Sequence, residues 1–422
     1  MNIKIGYGHL EGTVEMISSK SNVHRLLLAA ALAEKPTEIK LKGRSEDIEA
    51  TGACLMGLGS NVESSENGAY VTPITEKNNK VAVLDCGESG STLRFLLPVA
   101  GALGRNVLVE GKGRLPQRPI DILTEQMLQH GCSFNGVNLP LELSGQLTGG
   151  KYELPGNVSS QFITGLLFAL PLLEEDSEIV LTTKPESMGY ISMTLQTLSD
   201  FGIEIAEQEN GYQVKGGQKY QTPGFVQAEG DWSNAAFWLS AGAVCGEITC
   251  KGLQTDSPQG DKAILDLLKE FGAEVEIKED CITVRGKDLH GCQIDASQIP
   301  DLVPILSIVA AAAKGDTLIY NAGRLRIKES DRLAAMTDCL TRLGFSVEEG
   351  VDTLLIHGGK RKISESPVRI DSFHDHRIAM SAAIAGSVLE QDLIIEGAEC
   401  VAKSYPGFFA DFIRLGGGAD VL

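Results

Sequence analysis

The stretch LKEFGAEVEI, from Leu268 to Ile277, decides the fold because versions of it recur along the chain. Its first half resembles a helix that stops at a left-handed glycine, and its second half alternates like a strand. The glycine of this phrase returns every 70 to 72 residues. The sequence therefore predicts a repeated unit, whose glycines are Gly59, Gly131, Gly202, Gly272, Gly344 and Gly416.

Two further features define the repeat. After Gly272, the segment AEVEIKEDCITVRG (Ala273 to Gly286) predicts a β-hairpin. Between successive phrases lie helices rich in small apolar residues, which we expect inside the domains with strands outside. The predicted architecture is six βαβαββ units, three per domain, with a boundary near Phe225–Gly230. The apolar helices begin near Ser21, Ser91, Ser160, Ser233, Asp301 and His376.

Composition limits the classes of function. A chain of 422 residues predicts about two domains, and its net charge of -19 argues against a nucleic-acid surface. Nine cysteines without a CxxC pair favour a reduced cytosolic protein over disulfides or a zinc site. The N-terminus lacks the pattern of a signal peptide, and the apolar runs are too short to span a bilayer. We expect a soluble, cytoplasmic protein without metal.

Polar clusters stand before the buried helices, where unpaired N–H groups and the helix dipole favour anions. SKSNVHR (Ser19 to Arg25) places Lys20 and Arg25 around Ser21, which we predict to be the N-cap. The alternative is a capped helix whose cations reach solvent. We favour a bound anion because cations at a helix start oppose the dipole.

Three more clusters follow in the first half. The turn Gly87 to Ser91 leads into a helix that carries Arg94, and alone it is either a weak phosphate loop or an ordinary turn. Arg118 precedes Pro119, a placement that suits fixed contacts to a carboxylate or phosphate. Capping explains one serine of a polar helix start, whereas several adjacent hydrogen-bonding groups indicate a polar ligand. These groups are Ser159, Ser160 and Gln161, with Ser187 and Tyr190 before the next helix.

The second half has clusters with more charge. Asp301, before an apolar helix, is either a helix-stabilising carboxylate or a general base. The charged run from Arg324 to Arg332 is either a surface salt-bridge ladder or an acid–base group among cations. Asp375, His376 and Arg377 open another buried helix and lack further metal ligands nearby. Lys403 lies in a turn, where lysines are usually solvated. Together the clusters predict a transferase that grips a polyacidic metabolite between two domains.

Eight motifs in one order resemble the 5-enolpyruvylshikimate-3-phosphate synthase family across almost the whole chain. They are SKSNVHR, SGSTLR, RPI, VSSQF, IPD, RIKESDR, DHRIAM and AKSYPGF. The resemblance implies a two-domain inside-out α/β barrel of six βαβαββ repeats, with the active site in the interdomain cleft. It implies one discontinuous domain of residues 1–18 plus 229–422, and a second of residues 19–228.

The resemblance also implies the reaction: an enolpyruvyl group passes from phosphoenolpyruvate to the 5-hydroxyl of shikimate 3-phosphate through a tetrahedral intermediate. This is a shikimate-pathway step towards chorismate and aromatic amino acids. It implies a monomer that needs no cofactor, no nucleic acid and no membrane. Asp301 would accept the hydroxyl proton and Glu329 would protonate the methylene carbon, with Lys20 assisting.

The family's binding residues fall on two sets of positions in this chain. Those implied for shikimate 3-phosphate are Lys20, Ser21, Arg25, Ser159, Ser160, Gln161, Ser187, Asp301 and Lys328. Those implied for phosphoenolpyruvate are Lys20, Gly90, Arg118, Gln161, Arg332, Arg377 and Lys403.

Four positions depart from the family's usual pattern. Glu88 stands where Asn is frequent, Ser91 where Thr is frequent, Phe95 where many members have Pro, and Arg324 where some have Asn. Gly90 is retained, as in the glyphosate-sensitive type.

Three alternatives remain. One is the sister transferase that acts on UDP-N-acetylglucosamine, whose loop cysteine is missing from KGRLPQR (Lys112 to Arg118). The others are a non-catalytic repeat scaffold and an RNA-end-processing enzyme of similar repeat architecture.

Overall fold

A computed structural model of the chain describes residues 1–65, 67–74, 81–362, 367–389 and 392–422. Their contacts form two compact units. The split unit comprises Met1–Ser19 and Glu229–Leu422, and the continuous unit comprises Lys20–Ala228. Each unit has its own cluster of buried apolar side chains. Among the described residues, no helix has the length and apolar character needed to cross a membrane.

Six helices form the interior of the units, as the small-residue pattern predicts. Most of their residues are buried, because a helix that is apolar on every side must be covered on every side. The predicted N-cap role of Ser21 is wrong: the first of these helices already begins at Lys20, so Ser21 lies within its first turn. The inner helices are α1 (Lys20–Leu32), α3 (Gly90–Ala102), α5 (Ser160–Ala169), α7 (Trp232–Cys245), α9 (Val303–Ala312) and α11 (His376–Val388).

A second set of six helices carries the repeated phrase. Each ends two residues before its predicted glycine, and the φ of these glycines lies between +73° and +105°. Such a left-handed residue ends a helix and is adopted most easily by glycine, so this prediction is confirmed. The helices are α2 (Glu46–Gly57), α4 (Asp121–Gln129), α6 (Met188–Asp200), α8 (Ile264–Glu270), α10 (Arg332–Arg342) and α12 (Phe408–Arg414).

In the part of the chain that the structure describes, the strands form six four-stranded sheets, three in each unit, and each sheet has one parallel and two antiparallel pairs. In the continuous unit they are β14 (Phe225–Gln227), β3 (Thr37–Lys40), β5 (Gly68–Thr72) and β4 (Asn61–Ser65); β6 (Ala82–Asp85), β7 (Val107–Glu110), β9 (Leu141–Gly145) and β8 (Cys132–Asn135); and β10 (Gly150–Leu154), β11 (Ser177–Leu181), β13 (Gly211–Val214) and β12 (Ile205–Gln208). In the split unit they are β22 (Val368–Asp371), β23 (Leu393–Glu396), β1 (Asn2–Gly6) and β24 (Gly418–Val421); β16 (Glu274–Lys278), β17 (Cys281–Arg285), β15 (Gly246–Lys251) and β2 (Leu10–Glu15); and β18 (Gln293–Asp295), β19 (Gly315–Tyr320), β21 (Leu354–Gly358) and β20 (Ser346–Glu349).

The order of strands explains how six repeats fit into one chain. The predicted hairpin is present as the antiparallel pair β16 and β17. Strand β2 precedes α1 in the chain but pairs with β15, whereas β14 precedes α7 but pairs with β3. Two repeats have therefore exchanged their first strands, and the chain leaves one unit for the other at these two places.

Candidate functional site

Most of the predicted site residues lie at or just before the starts of helices, from both the inner set and the second set, in both units. Each unit has its own group. In the continuous unit the residues come from α1, α3 and α5, and from the segments before α4 and α6. In the split unit they come from the starts of α9, α10 and α11 and from a short 3₁₀ helix, Ala398–Lys403.

Arg25 is the most deeply buried cation of the continuous unit, with 2% of its surface exposed. Its guanidinium donates hydrogen bonds to Thr194 Oγ1 (2.9 Å), Ser21 O (2.6 Å) and Tyr190 O (2.8 Å). It also lies 5.2 Å from the centre of the Phe95 ring. These partners are all neutral, and among the described residues no carboxylate pairs with Arg25. Its positive charge is therefore hydrogen-bonded but not neutralised.

Burial affects the acidity of this group. Removing the guanidinium from water disfavours its charged form, which lowers the pKa of Arg25 to about 10. A bound anion would stabilise the charged form and raise this pKa again. Arg25 thus has the properties of a binding residue for a carboxylate or phosphate.

Lys20 differs from Arg25 because it has an acidic partner. Its Nζ lies 2.7 Å from Asp47 Oδ2, and both side chains are largely buried. Asp47 belongs to the first turn of α2, where a carboxylate also stabilises the helix. We had expected an anionic ligand to be the partner of both cations, but for Lys20 the protein itself supplies a carboxylate.

The starts of α3 and α5 meet through an arginine and an amide. Arg94 donates from Nη1 to Gln161 Oε1 (2.9 Å) and from Nη2 to Pro119 O (2.9 Å). Gln161 in turn donates to Ser91 Oγ (3.0 Å). This network fixes the amide of Gln161, which the sequence had placed among the ligand-binding groups.

Gly90 leaves the space in which two guanidinium groups lie. A Cβ atom added there would stand 2.6 Å from Arg94 Nη1 and 2.7 Å from Arg118 Nη1. Any larger residue would displace them, so glycine is required for their position rather than for its backbone. We call Gly90, Arg94, Arg118 and Gln161 the arginine–glutamine cluster.

Serines complete the continuous unit's group. Ser159 caps α5 by accepting a hydrogen bond from Gln161 N (3.3 Å), and Ser160 is the first residue of that helix. Ser187, buried before α6, has φ 55° and ψ 44°. A left-handed conformation is strained for a residue with a Cβ, and such strain concentrates at functional sites.

In the split unit, one buried arginine binds three carboxylates. The guanidinium of Arg332 contacts Asp375 Oδ2 through Nε (2.8 Å), Asp301 Oδ1 through Nη1 (2.7 Å) and Glu329 Oε2 through Nη2 (2.7 Å). With Lys328, these residues form what we call the carboxylate–arginine cluster. Because Arg332 is already fully engaged, an anion can bind it only by replacing one of its carboxylates.

Asp375 holds the cluster to α11. It caps that helix by accepting from Arg377 N (3.0 Å), and it accepts a second hydrogen bond from Ser330 Oγ (3.0 Å). Burial is the largest single influence and would raise the pKa of Asp375, but the charge and hydrogen bonding of Arg332, together with the charge of His376, leave the pKa below its usual value. Burial likewise opposes the charge of Arg332, whereas Asp375, Glu329 and Asp301 raise the pKa of Arg332 well above its usual value.

Asp301 is surrounded by cations. It lies in a short 3₁₀ helix, Pro300–Leu302, directly before α9. Besides Arg332, Lys328 Nζ lies 3.6 Å from its Oδ1 and Arg377 Nη2 lies 3.6 Å from its Oδ2. Burial lowers the pKa of Lys328 to about 8, although Asp301 acts in the opposite direction. This places an acid–base group with a near-neutral pKa beside a carboxylate.

The charged run before α10 divides into two parts. Arg326 pairs with Asp331 (2.9 Å) and Glu349 (2.8 Å) near the surface, in agreement with the salt-bridge alternative. Lys328, Glu329 and Arg332 instead belong to the carboxylate–arginine cluster and not to the surface salt bridges.

Lys403 is buried, which differs from the usual solvated lysine. Its Nζ donates to His374 O (2.6 Å). Phe373 and His374 have φ of 51° and 53°, so this turn carries backbone strain beside the start of α11.

Sequence reasoning missed Asp47 and did not place Arg94 or Asp375 among the binding residues. Asp47 offered only the signal of an acidic first helical turn, which most helices show. Arg94 and Asp375 stood inside the quoted motifs, but their partners are 67 and 43 residues away in the chain. Only the packing of different repeats reveals these pairs.

These features define a class of protein. Buried cations and carboxylates lie at helix starts on a βαβαββ unit that is repeated six times. Such groups can bind small phosphorylated or carboxylated metabolites and stabilise the charge that develops during group transfer, as a transferase requires. Comparison of the chain with known proteins agrees with this class. The family model described as "EPSP synthase (3-phosphoshikimate 1-carboxyvinyltransferase)" matches residues 5–412.

Similar proteins cover the chain from end to end. A 3-phosphoshikimate 1-carboxyvinyltransferase of Clostridium kluyveri is 44% identical, over 99% of this chain and 98% of that protein. Its counterpart in Clostridium acetobutylicum is 45% identical, over 98% and 97%. The structure of EPSP synthase from Acinetobacter baumannii has a TM-score of 0.82 at 25% identity and covers 100% of both chains. The chain belongs to the EPSP synthase family, and it is an enzyme that transfers the enolpyruvyl group of phosphoenolpyruvate to shikimate 3-phosphate in the shikimate pathway.

Proposed function

We propose that this chain catalyses its family's transfer with the residues described above, each in a defined role. Shikimate 3-phosphate is held by Arg25, whose uncompensated buried charge is the single observation that carries this proposal. An anionic group of the substrate neutralises that charge. The same substrate contacts Lys20, Ser21, Ser159, Ser160, Gln161, Ser187, Asp301 and Lys328.

Phosphoenolpyruvate is the second anion. The arginine–glutamine cluster supports its binding. Arg118 lies so close to Gly90 that a Cβ atom there would stand 2.7 Å from its Nη1, and Arg94 holds the amide of Gln161 by a hydrogen bond. The remaining contacts are Lys20, Arg332, Arg377 and Lys403. Arg332 exchanges one of its carboxylates for the ligand, which frees that carboxylate for chemistry.

The chemistry is addition followed by elimination. The 5-hydroxyl oxygen of shikimate 3-phosphate attacks C2 of phosphoenolpyruvate, and Asp301 takes the hydroxyl proton. Glu329 delivers a proton to the methylene carbon, with Lys20 assisting. The tetrahedral intermediate then loses a proton from the new methyl group and expels phosphate as the C–O bond to phosphate breaks. The surrounding cations stabilise the charge that develops.

Two substitutions test the acid–base roles. We expect Asp301→Ala and Glu329→Gln each to lower kcat by about 10²- to 10⁴-fold, the usual contribution of a positioned acid or base. Phosphate release from phosphoenolpyruvate and shikimate 3-phosphate measures kcat. Glu349→Gln is the matched control, because Glu349 pairs with Arg326 outside the cluster. Normal kcat in either of the first two variants would remove that residue from the mechanism.

The setting of the enzyme belongs to the same proposal. We propose a cytoplasmic monomer that acts on free small molecules, without nucleic acid, membrane or cofactor. The net charge of -19 supports the lack of a nucleic-acid surface. Sedimentation of the purified chain at working concentration tests the monomer, and a dimer at that concentration would contradict it.

A further inference from the structure

Phe95 lies against the most isolated charge of the continuous unit. It is buried in α3, one position after Arg94, and its ring centre is 5.2 Å from the guanidinium carbon of Arg25. The His24 ring meets it edge-on at 6.4 Å, and the Phe168 ring packs at 6.4 Å.

Among the described residues, no negatively charged group pairs with Arg25. The hydrogen-bond partners are the hydroxyl of Thr194 and the carbonyls of Ser21 and Tyr190. His24 is neutral, because burial and the neighbouring cations Lys20 and Arg25 lower the pKa of His24 well below its usual value. The electron-rich face of Phe95 therefore stabilises the guanidinium of Arg25 by a cation–π interaction, which leaves its positive charge in place.

This arrangement has a consequence for ligand binding. A carboxylate beside Arg25 would compete with an incoming anion, as the carboxylates of Arg332 do. An aromatic face stabilises the guanidinium but leaves its charge available, and it prevents the side chain from changing rotamer. The ring thus keeps Arg25 in place while the site is empty.

We propose that Phe95 is a positioning residue for Arg25 and that its ring sets the affinity for shikimate 3-phosphate. The inference rests on the proposed function, in which Arg25 binds that substrate. Phe95 does not touch the reacting atoms, so its loss affects substrate affinity and leaves the chemical step intact.

Fluorination of the Phe95 ring tests the inference, because it leaves the shape of the side chain almost unchanged. Phe95 is replaced by 3,4,5-trifluorophenylalanine, which weakens the π face without creating a cavity. We expect the KM for shikimate 3-phosphate to rise about threefold to thirtyfold, the range of a desolvated cation–π contact. The kcat and the KM for phosphoenolpyruvate should stay within about twofold. An unchanged KM for shikimate 3-phosphate would overturn the inference.

The Arg25→Ala background separates this inference from the proposed function. If Arg25→Ala raises the KM for shikimate 3-phosphate and fluorination adds nothing further in that background, both stand. If Arg25→Ala raises it but fluorination raises it equally in both backgrounds, Phe95 acts by another route and the positioning role fails. If Arg25→Ala leaves the KM unchanged, Arg25 does not bind the substrate and the proposed function fails at this residue. Phe95→Leu, with its unfolding curve, provides a second comparison for cavity effects.

Discussion

At the scale of single residues, the cations of this protein differ in what holds them. Among the described residues, Arg25 has neutral hydrogen-bond partners, Lys20 pairs with the carboxylate of Asp47, and Arg332 binds three carboxylates. The first can accept an anion directly, whereas the last must exchange a carboxylate for it. Arginine is therefore held in two electrostatically different ways, among neutral groups at Arg25 in the continuous unit and among carboxylates at Arg332 in the split unit.

Gly90 makes a clear residue-scale prediction. In Gly90→Ala, the new methyl group would displace Arg118 and Arg94, which now lie 2.7 and 2.6 Å from its position. We expect the KM for phosphoenolpyruvate to rise about tenfold, because hydrogen bonds to charged groups are lost. The free energy of unfolding should hardly change, since only flexible side-chain ends must move. Gly52→Ala, in α2 with ordinary contacts, is the control. It should leave the KM for phosphoenolpyruvate unchanged and raise the free energy of unfolding by at most about 1 kcal/mol, because alanine favours a helix interior more than glycine does.

Lys328 predicts a pH effect on substrate binding. Its pKa is about 8 instead of 10.5, chiefly because the ammonium group is buried. As the pH rises through about 8, the side chain loses its charge, and we expect the affinity for shikimate 3-phosphate to fall. Lys328→Arg should remove this step, because arginine stays charged. Calorimetric titrations from pH 7 to 9 measure it, and a step that persists in the arginine variant would assign it to another group.

The same lowered pKa has a consequence for stability. Between about pH 8 and 10.5 the unfolded chain binds a proton at Lys328 that the folded chain does not. The free energy of unfolding should therefore increase as the pH rises through that window, because the folded chain no longer has to bury a charged Lys328. Lys328→Met should lack it when unfolding curves are compared across the window, and an identical pH profile would contradict the assignment.

At the scale of helices and strands, the sequence was most informative where a repeat imposed local chemistry. The six glycines could be predicted because a left-handed helix end has a strong residue preference. The start of α1 was misplaced by assigning Ser21 as the cap, since two neighbouring serines both suit that position. The family resemblance implied that residues 1–18 belong with residues 229–422, but the local pattern alone did not show the exchange of β2 and β14 between repeats, because strand pairing depends on long-range packing. For the same reason Asp47, which pairs with Lys20 across two helices, gave no signal.

The repeated glycines can be tested with a matched pair. Gly344 and Gly315 both have φ +90°, but a Cβ added at Gly344 would stand 2.0 Å from Lys362 O, whereas none of the described atoms lies within 4 Å at Gly315. We expect Gly315→Ala to destabilise by about 1 kcal/mol from backbone strain. Gly344→Ala should cost about 2–4 kcal/mol, because a carbonyl must also move. Denaturant unfolding measures both, and equal values would mean that the helix end can shift.

At the scale of the whole molecule, the two units have separate apolar cores and separate sheets. The continuous unit is a single stretch of chain from Lys20 to Ala228, and it contains all four strands of each of its three sheets. We predict that the fragment 20–228 folds alone with a cooperative thermal transition. Circular dichroism and hydrogen exchange on the fragment test this. A fragment without protected amides would show that its folding depends on the split unit.

The function could be predicted further than the local contacts. The order of the eight motifs from SKSNVHR to AKSYPGF was sufficient for the family, because each lies at a helix start that the repeat fixes. The sequence did not show which charged side chains pair with an opposite charge inside the protein. Nothing in the sequence distinguishes Arg25, which has neutral partners, from Arg332, which binds Asp301, Glu329 and Asp375.

The central claim is that this chain transfers an enolpyruvyl group to shikimate 3-phosphate. The most direct measurement is phosphate release from phosphoenolpyruvate by the purified full chain, with shikimate 3-phosphate or UDP-N-acetylglucosamine as acceptor. We predict phosphate and an equal amount of 5-enolpyruvylshikimate 3-phosphate with the first acceptor, and no turnover with the second. Turnover only with the nucleotide sugar, or with neither acceptor in a folded preparation, would contradict the account.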